Sequence, residues 1–189
     1  CPVINALSDD RHPCQALTDL MTLREVFGEL AGLHIVFVGD GNNVAISLAT
    51  ACAMTGMKFT LAVPAGFELS AAFLSDLKAR YPDSDVSQTG DPHEAVATAN
   101  VIYTDVWASM GQEEEAERRI KAFTGFQVNR ELTKSAPAEA KFMHDLPAKR
   151  GLEVTDEVID GDQSIVFLQA ENRMHLARGL FTWMLSADS

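Results

Sequence analysis

His34-Ile35-Val36-Phe37-Val38-Gly39-Asp40-Gly41-Asn42-Asn43 decides the fold of this chain. A short β-branched run meets a glycine turn, and from Asn43 to Thr55 the apolar residues take helical spacing. Lys58 to Val63 repeats the strand pattern, closed by Pro64-Ala65-Gly66, and Ser70 to Arg80 reads as the next helix. Asp85-Val86-Ser87 is a weaker strand. Asp91 then reads as an N-cap with Pro92 at the first helical position. Asn100 to Tyr103 is a fourth strand and Lys141-Phe142-Met143 a fifth. Strands alternating with helices of roughly 10 to 15 residues predict an α/β fold. The expectation is a doubly wound parallel sheet of about five strands with flanking helices.

Two helices frame these units. Gln15 to Phe27 sets Leu17, Leu20, Met21, Leu23 and Phe27 on one face and stops at Gly28. Glu171 to Leu185 repeats the pattern with Met174, Leu176, Leu180, Phe181 and Met184. At 189 residues the chain fits one domain with a substantial core. A net charge of −12 argues against nucleic acid, which needs clustered Lys and Arg. No apolar run is long enough for a membrane span. Cys1, Cys14 and Cys52 form no CxxC, and an odd count fits a reduced, cytoplasmic setting. A start without Met reads as part of something longer.

Candidate chemistry gathers at strand ends. Gly39-Asp40-Gly41 resembles a dinucleotide fingerprint, but Val44 replaces its third glycine and Val63-Pro64 stands where a ribose-binding acid belongs. A nicotinamide cofactor is therefore disfavoured. Asn42 and Asn43 offer amides suited to an amino-acid head group, or simply to capping. His12 precedes Pro13 and stays outside the first helix, whereas Gln15 projects from its first turn. An imidazole and an amide there suit a carbonyl oxygen, though a surface histidine beside a turn would look the same. Asp105-Val106-Trp107-Ala108-Ser109-Met110-Gly111, after the fourth strand, suits a small amine-bearing ligand, or else is an ordinary connection. His144-Asp145 follows the fifth strand, but adjacent residues there diverge and do not make a dyad. No GxSxG occurs, and His34, His93 and His175 have no metal-ligand spacing; they read as surface or packing residues. Arg173 would fork to an oxygen of a ligand or pair with Glu171.

Taken in order, His12-Pro13-Cys14-Gln15-Ala16-Leu17-Thr18-Asp19, Gly39 to Asn43, Asp105 to Glu115, His144-Asp145-Leu146-Pro147 and Ala170 to Arg173 resemble ornithine carbamoyltransferases over essentially the whole chain. The Asp-x-x-x-Ser-Met-Gly element separates ornithine-directed members from aspartate-directed relatives. The resemblance implies a Rossmann-like second domain and transfer of a carbamoyl group from carbamoyl phosphate to the δ-amine of ornithine, giving citrulline for arginine biosynthesis. It places His12, Gln15 and Arg173 on the carbamoyl group, Asn43, Asp105, Ser109 and Met110 on ornithine, and Leu146 beside the substrates. It implies no metal and no organic cofactor.

Two departures matter. The family pattern is His-Cys-Leu-Pro, and Asp145 stands in the cysteine position beside the reacting amine. A carboxylate there favours the ammonium and depletes the nucleophile, so reduced activity or altered amine selectivity is expected. The opposite expectation is that Asp145, counted with His12 and Arg173 as catalytic, serves as the general base. Secondly, the resemblance implies a preceding carbamoyl phosphate domain with a Ser-Thr-Arg-Thr-Arg motif, which this sequence lacks. Residues 1–189 then form the ornithine-binding domain, with the first helix as an inter-domain helix and the last helix packing back on the missing domain. Alone it would be inactive, with apolar faces of both helices exposed. A trimer is implied for the full-length enzyme only. The alternatives are a non-catalytic amino-acid-binding or interaction module, or a carbamoyltransferase for putrescine or an acylated ornithine.

Overall fold

The computed structural model describes residues 3–107 and 116–186. In chain order they form α1 (Pro13–Phe27), β1 (His34–Val38), α2 (Asn43–Thr55), β2 (Lys58–Ala62), α3 (Ala71–Arg80), β3 (Asp85–Thr89), α4 (Pro92–Val96), β4 (Val101–Thr104), α5 (Ala116–Ala122), α6 (Arg130–Lys134), β5 (Lys141–His144), α7 (Asp156–Ile159) and α8 (Val166–Ser186). Every strand pairing is parallel, in the order β3-β2-β1-β4-β5. The winding goes outward from β1 to β3, then returns to β1's other side with β4. Such a reversal opens a crevice at the carboxyl ends of the strands, here those of β1 and β4.

All five residues of β1 are buried, as expected of a strand covered on both faces. Alternation divides them between two cores. Val36 and Val38 join Ile102, Phe142, Phe123 and Phe126 on one face; Ile35 and Phe37 join Tyr103, Met143 and the α2 residues Leu48 and Cys52 on the other. Gly41 is required by a close approach. A Cβ there would stand 2.8 Å from the Leu69 nitrogen, so the glycine serves packing against the Phe67–Leu69 backbone.

The framing helices differ from expectation. α8 starts at Val166, not Glu171, so Glu171-Asn172-Arg173 lie inside it. The buried face of α1 is largely polar, containing Gln15, Thr18, Asp19 and Thr22, while Leu17 and Met21 are exposed. The reason is α8, whose Gln169 and Asn172 meet α1 with hydrogen bonds: Gln169 reaches Asp19 at 2.7 Å and Asn172 reaches Thr22 at 3.1 Å. The expected exposure of apolar groups is present: Phe181 is 57 % and Trp183 70 % exposed. No helix among the described residues is long and apolar enough to cross a membrane.

Candidate functional site

The site is built from three strand ends and one helix start. β4 delivers Asp105, which is 8 % exposed. One of its oxygens accepts from Asn42 Nδ2 at 2.8 Å and the other from the Val106 amide at 2.6 Å. Asn42 works in two directions, since its Oδ1 also caps α2 through the amides of Val44 and Ala45 at 3.0 Å. Asn43, the asparagine assigned to ornithine from sequence, turns elsewhere. Its Nδ2 donates to the Ser8 carbonyl at 2.8 Å and its oxygen accepts from Val44. Ser109 and Met110 lie outside the described residues.

β5 delivers His144 and Asp145. His144 Nδ1 accepts the Leu146 amide proton at 2.9 Å, so the ring's own proton sits on Nε2, which faces Glu153 Oε1 at 3.2 Å. The 3.6 Å approach of Asp145 to Nδ1 is thus no ion pair. As the sequence indicates, His144 and Asp145 are not a dyad; the partner of His144 is Glu153, buried and nine residues on. Leu146 has a φ of 57°, a left-handed conformation strained for a leucine, and the Leu146-Pro147 bond is cis.

Asp145 has a side chain 10 % exposed, and its Oδ1 is buried without a hydrogen-bond partner among the described residues. Donor atoms of Asp105, His144 and Asp145 lie within 4.8 Å of one another. Burial first, then the charge of Asp105 and a hydrogen bond with it, push the Asp145 carboxyl well above the usual carboxylate range. As a metal site the cluster is poor, because the Nδ1 lone pair is committed to Leu146.

His12 is the N-cap position of α1, and its backbone amide donates to Ser47 at 2.8 Å. Burial and the positive charge of Arg173 lower its pKa, while the Ala6 backbone and Asp105 pull the other way; its Nδ1 is buried and has no hydrogen-bond partner among the described residues. Arg173 does not pair with Glu171, which approaches His175 at 3.7 Å instead, and has no carboxylate partner among the described residues. It lines an apolar groove of about 450 Å³ with Ile4, Cys14, Met174 and Phe181. Gln15 is buried and donates from Nε2 to Asp19 at 2.9 Å. His34, also buried, bonds Thr60 and Thr98, as a packing residue should.

Sequence reasoning missed Arg119. It pairs with Asp40 after β1, donates to the Trp107 carbonyl at 3.0 Å, and lies over the Phe67 ring at 5.1 Å. It gave Asp19 no role, although the first motif ends on it, and missed Glu153 and Gln169, whose only signal was a charge or an amide among buried neighbours. The arrangement sets a cation-receptive carboxyl pair against neutral and cationic groups suited to a carbonyl oxygen.

Comparison with known proteins identifies the family of the chain. The family model described as aspartate/ornithine carbamoyltransferase, Asp/Orn binding domain, matches residues 31–184, and that of the carbamoyl-P binding domain of the same family matches residues 1–25. The ornithine carbamoyltransferase of Anoxybacillus flavithermus is 50% identical over 186 residues, covering 97% of this chain and 59% of the relative. That of Symbiobacterium thermophilum is 51% identical over 188 residues, covering 98% and 60%. The solved ornithine carbamoyltransferase from Pyrococcus furiosus superposes with a TM-score of 0.88 at 50% identity, covering 95% of this chain and 58% of that one. The chain thus spans about 59% of the length of such relatives.

Proposed function

Because this chain belongs to the aspartate/ornithine carbamoyltransferase family, we propose that it is the ornithine-binding portion of an ornithine carbamoyltransferase. The reaction moves the carbamoyl group of carbamoyl phosphate to the δ-amine of L-ornithine, releasing phosphate and L-citrulline. One observation carries the reading: Asp105 and Asp145 converge beside His144 at the switch-point end of the sheet, with the charges of both Asp105 and Arg173 felt at His12. Asp105, fixed by Asn42, receives the amino-acid cation, with Ser109 and Met110 as its proposed companions. His12 and Arg173 face the carbonyl oxygen and stabilise the oxyanion as the neutral amine attacks. Gln15 and Leu146 orient the carbamoyl group. Orientation of the two substrates supplies much of the remaining barrier reduction.

In this reading residues 1–189 bind ornithine, and carbamoyl phosphate also needs a preceding domain, so the chain alone is inactive. The full-length protein is a cytoplasmic homotrimer of arginine biosynthesis, with no metal or organic cofactor. The test is citrulline formation by the full-length protein, with calorimetric titration of ornithine in the presence and absence of carbamoyl phosphate. Saturable turnover and ornithine binding enhanced by carbamoyl phosphate are expected. Undetectable ornithine binding in the full-length protein would sink the substrate assignment. Asp145 specifically favours a second reading, a carbamoyltransferase for another amine, because it puts a carboxyl group, with its own hydrogen-bonding demands, beside the acceptor. Putrescine and an acylated ornithine assayed in parallel separate the two; turnover with none of the amines supports a non-catalytic amino-acid-binding module.

A further inference from the structure

Gln15 belongs to a buried polar junction whose Asp19, Tyr103 and Gln169 have no part in the proposed chemistry. Asp19 is fully buried in α1. Its Oδ1 accepts from Gln15 Nε2 at 2.9 Å and from Gln169 Nε2 at 2.7 Å, and its Oδ2 from the Tyr103 hydroxyl at 3.2 Å. Gln169 also donates to Tyr103 at 3.0 Å, and its Oε1 accepts from the His144 amide at 3.0 Å. The junction therefore joins α1, α8, β4 and the end of β5. Every residue it touches either precedes the site or belongs to it: Tyr103 is two positions before Asp105, and His144 adjoins Asp145.

An amide side chain has a donor end and an acceptor end of nearly equal size, so the surroundings decide its orientation. Asp19 offers Gln15 only an acceptor, and Oδ1 keeps that character even when a proton resides on Oδ2, where the Tyr103 hydroxyl can turn to accept. The NH2 of Gln15 is drawn inward. Its Oε1, which accepts from no group among the described residues, is the end left for a substrate N–H. By the same logic Gln169 is locked, because both its hydrogens and its oxygen are engaged, and it fixes the main chain at His144.

We propose that Asp19 and Gln169 are positioning residues: Asp19 sets which end of the Gln15 amide meets the carbamoyl donor, and Gln169 holds the β5 end that carries Asp145. This rests on the carbamoyltransferase reading. It predicts a crossed pattern in the full-length protein. Asp19→Leu raises KM for carbamoyl phosphate by at least about tenfold, the cost of a misdirected buried amide, with KM for ornithine within about twofold. Asp19→Asn, whose oxygen still accepts from both glutamines, restores the carbamoyl phosphate KM. Gln169→Leu does the reverse, lowering kcat and raising KM for ornithine while sparing carbamoyl phosphate.

Steady-state kinetics on the three variants, with melting curves to confirm folding, make the test. Parallel rises in both KM values, or failure of Asp19→Asn to rescue, would reduce the junction to a structural role and overturn the proposal. If Asp19→Leu does not fold, Gln15→Glu, which cannot turn a donor towards Asp19, takes its place and should raise KM for carbamoyl phosphate alone, while Gln169→Leu decides the other half by the opposite split. A wild-type protein without carbamoyl transfer overturns the functional reading itself, and this inference with it. An active wild type with Asp19→Leu and Gln169→Leu unmoved overturns only the inference.

Discussion

Asp145 shows how one side chain's charge depends on its neighbour. From sequence, a carboxylate beside the acceptor amine predicts stabilisation of the ammonium and a depleted nucleophile. In the fold, burial and Asp105 drive Asp145 towards the neutral acid, so that it carries no more charge than a thiol there would. The penalty then grows with pH, as Asp145 ionises above its raised pKa. Asp145→Cys in the full-length protein should exceed wild type in kcat/KM severalfold, with the gap widening as pH rises across the range in which both proteins stay folded. Equal kcat and KM across that range would refute this. The position of Asp145 was legible in a motif, but its proton was not, because the deciding partner, Asp105, is forty residues away.

Elements were legible where burial on both sides forces an apolar run. β1, β2, β4 and β5 lie within a residue of their predicted bounds, and the Asp91-Pro92 start of α4 is as read. α5, α6 and α7, of four to seven residues, are too short to show a helical period twice. The start of α8 was misplaced because its first turn carries no apolar stripe: Val166 reaches the core, Gln169 is buried as a polar residue, and Phe167 and Ala170 are exposed. At the start of α2, Asn42 joins element and site, capping the helix with its oxygen and holding Asp105 with its nitrogen. Asn42→Ala should cost about 1 kcal/mol from the lost cap, or roughly 2–4 °C in Tm for a chain of this size. Asn42→Ser keeps a capping oxygen but cannot reach Asp105, so its Tm should stay near wild type while ornithine affinity falls in the full-length protein. Equal Tm losses in the two variants would show that the cap is not the stabilising half.

At the scale of the whole molecule, the Asp19 junction ties residues 150 apart in sequence, which no local pattern encodes. It also makes stability pH-dependent. Burial raises the Asp19 carboxyl from 3.8 to about 7, against the hydrogen bonds of Gln15, Gln169 and Tyr103 and the charge of Arg173. Between those values the folded chain holds a proton that the unfolded chain releases. The stabilisation is complete below 3.8 and is lost as pH rises through about 7. The swing is up to roughly 4 kcal/mol, taking about 1.4 kcal/mol per pKa unit. Urea unfolding of wild type and Asp19→Asn at pH 4.5 and 7.5 should show wild type losing ground to the variant at the higher pH. Parallel losses would remove Asp19 as the cause.

The same junction orders events during synthesis. α1 leaves the ribosome well before α8, its packing partner, exists. At about 5–20 residues per second, the residues between them take roughly 7 to 30 seconds to make. For that interval the face of α1 destined for burial meets water with Gln15, Thr18, Asp19 and Thr22, groups that hydration suits. A helix that waits for its last-made partner gains from a hydrophilic seam, which does not invite premature association.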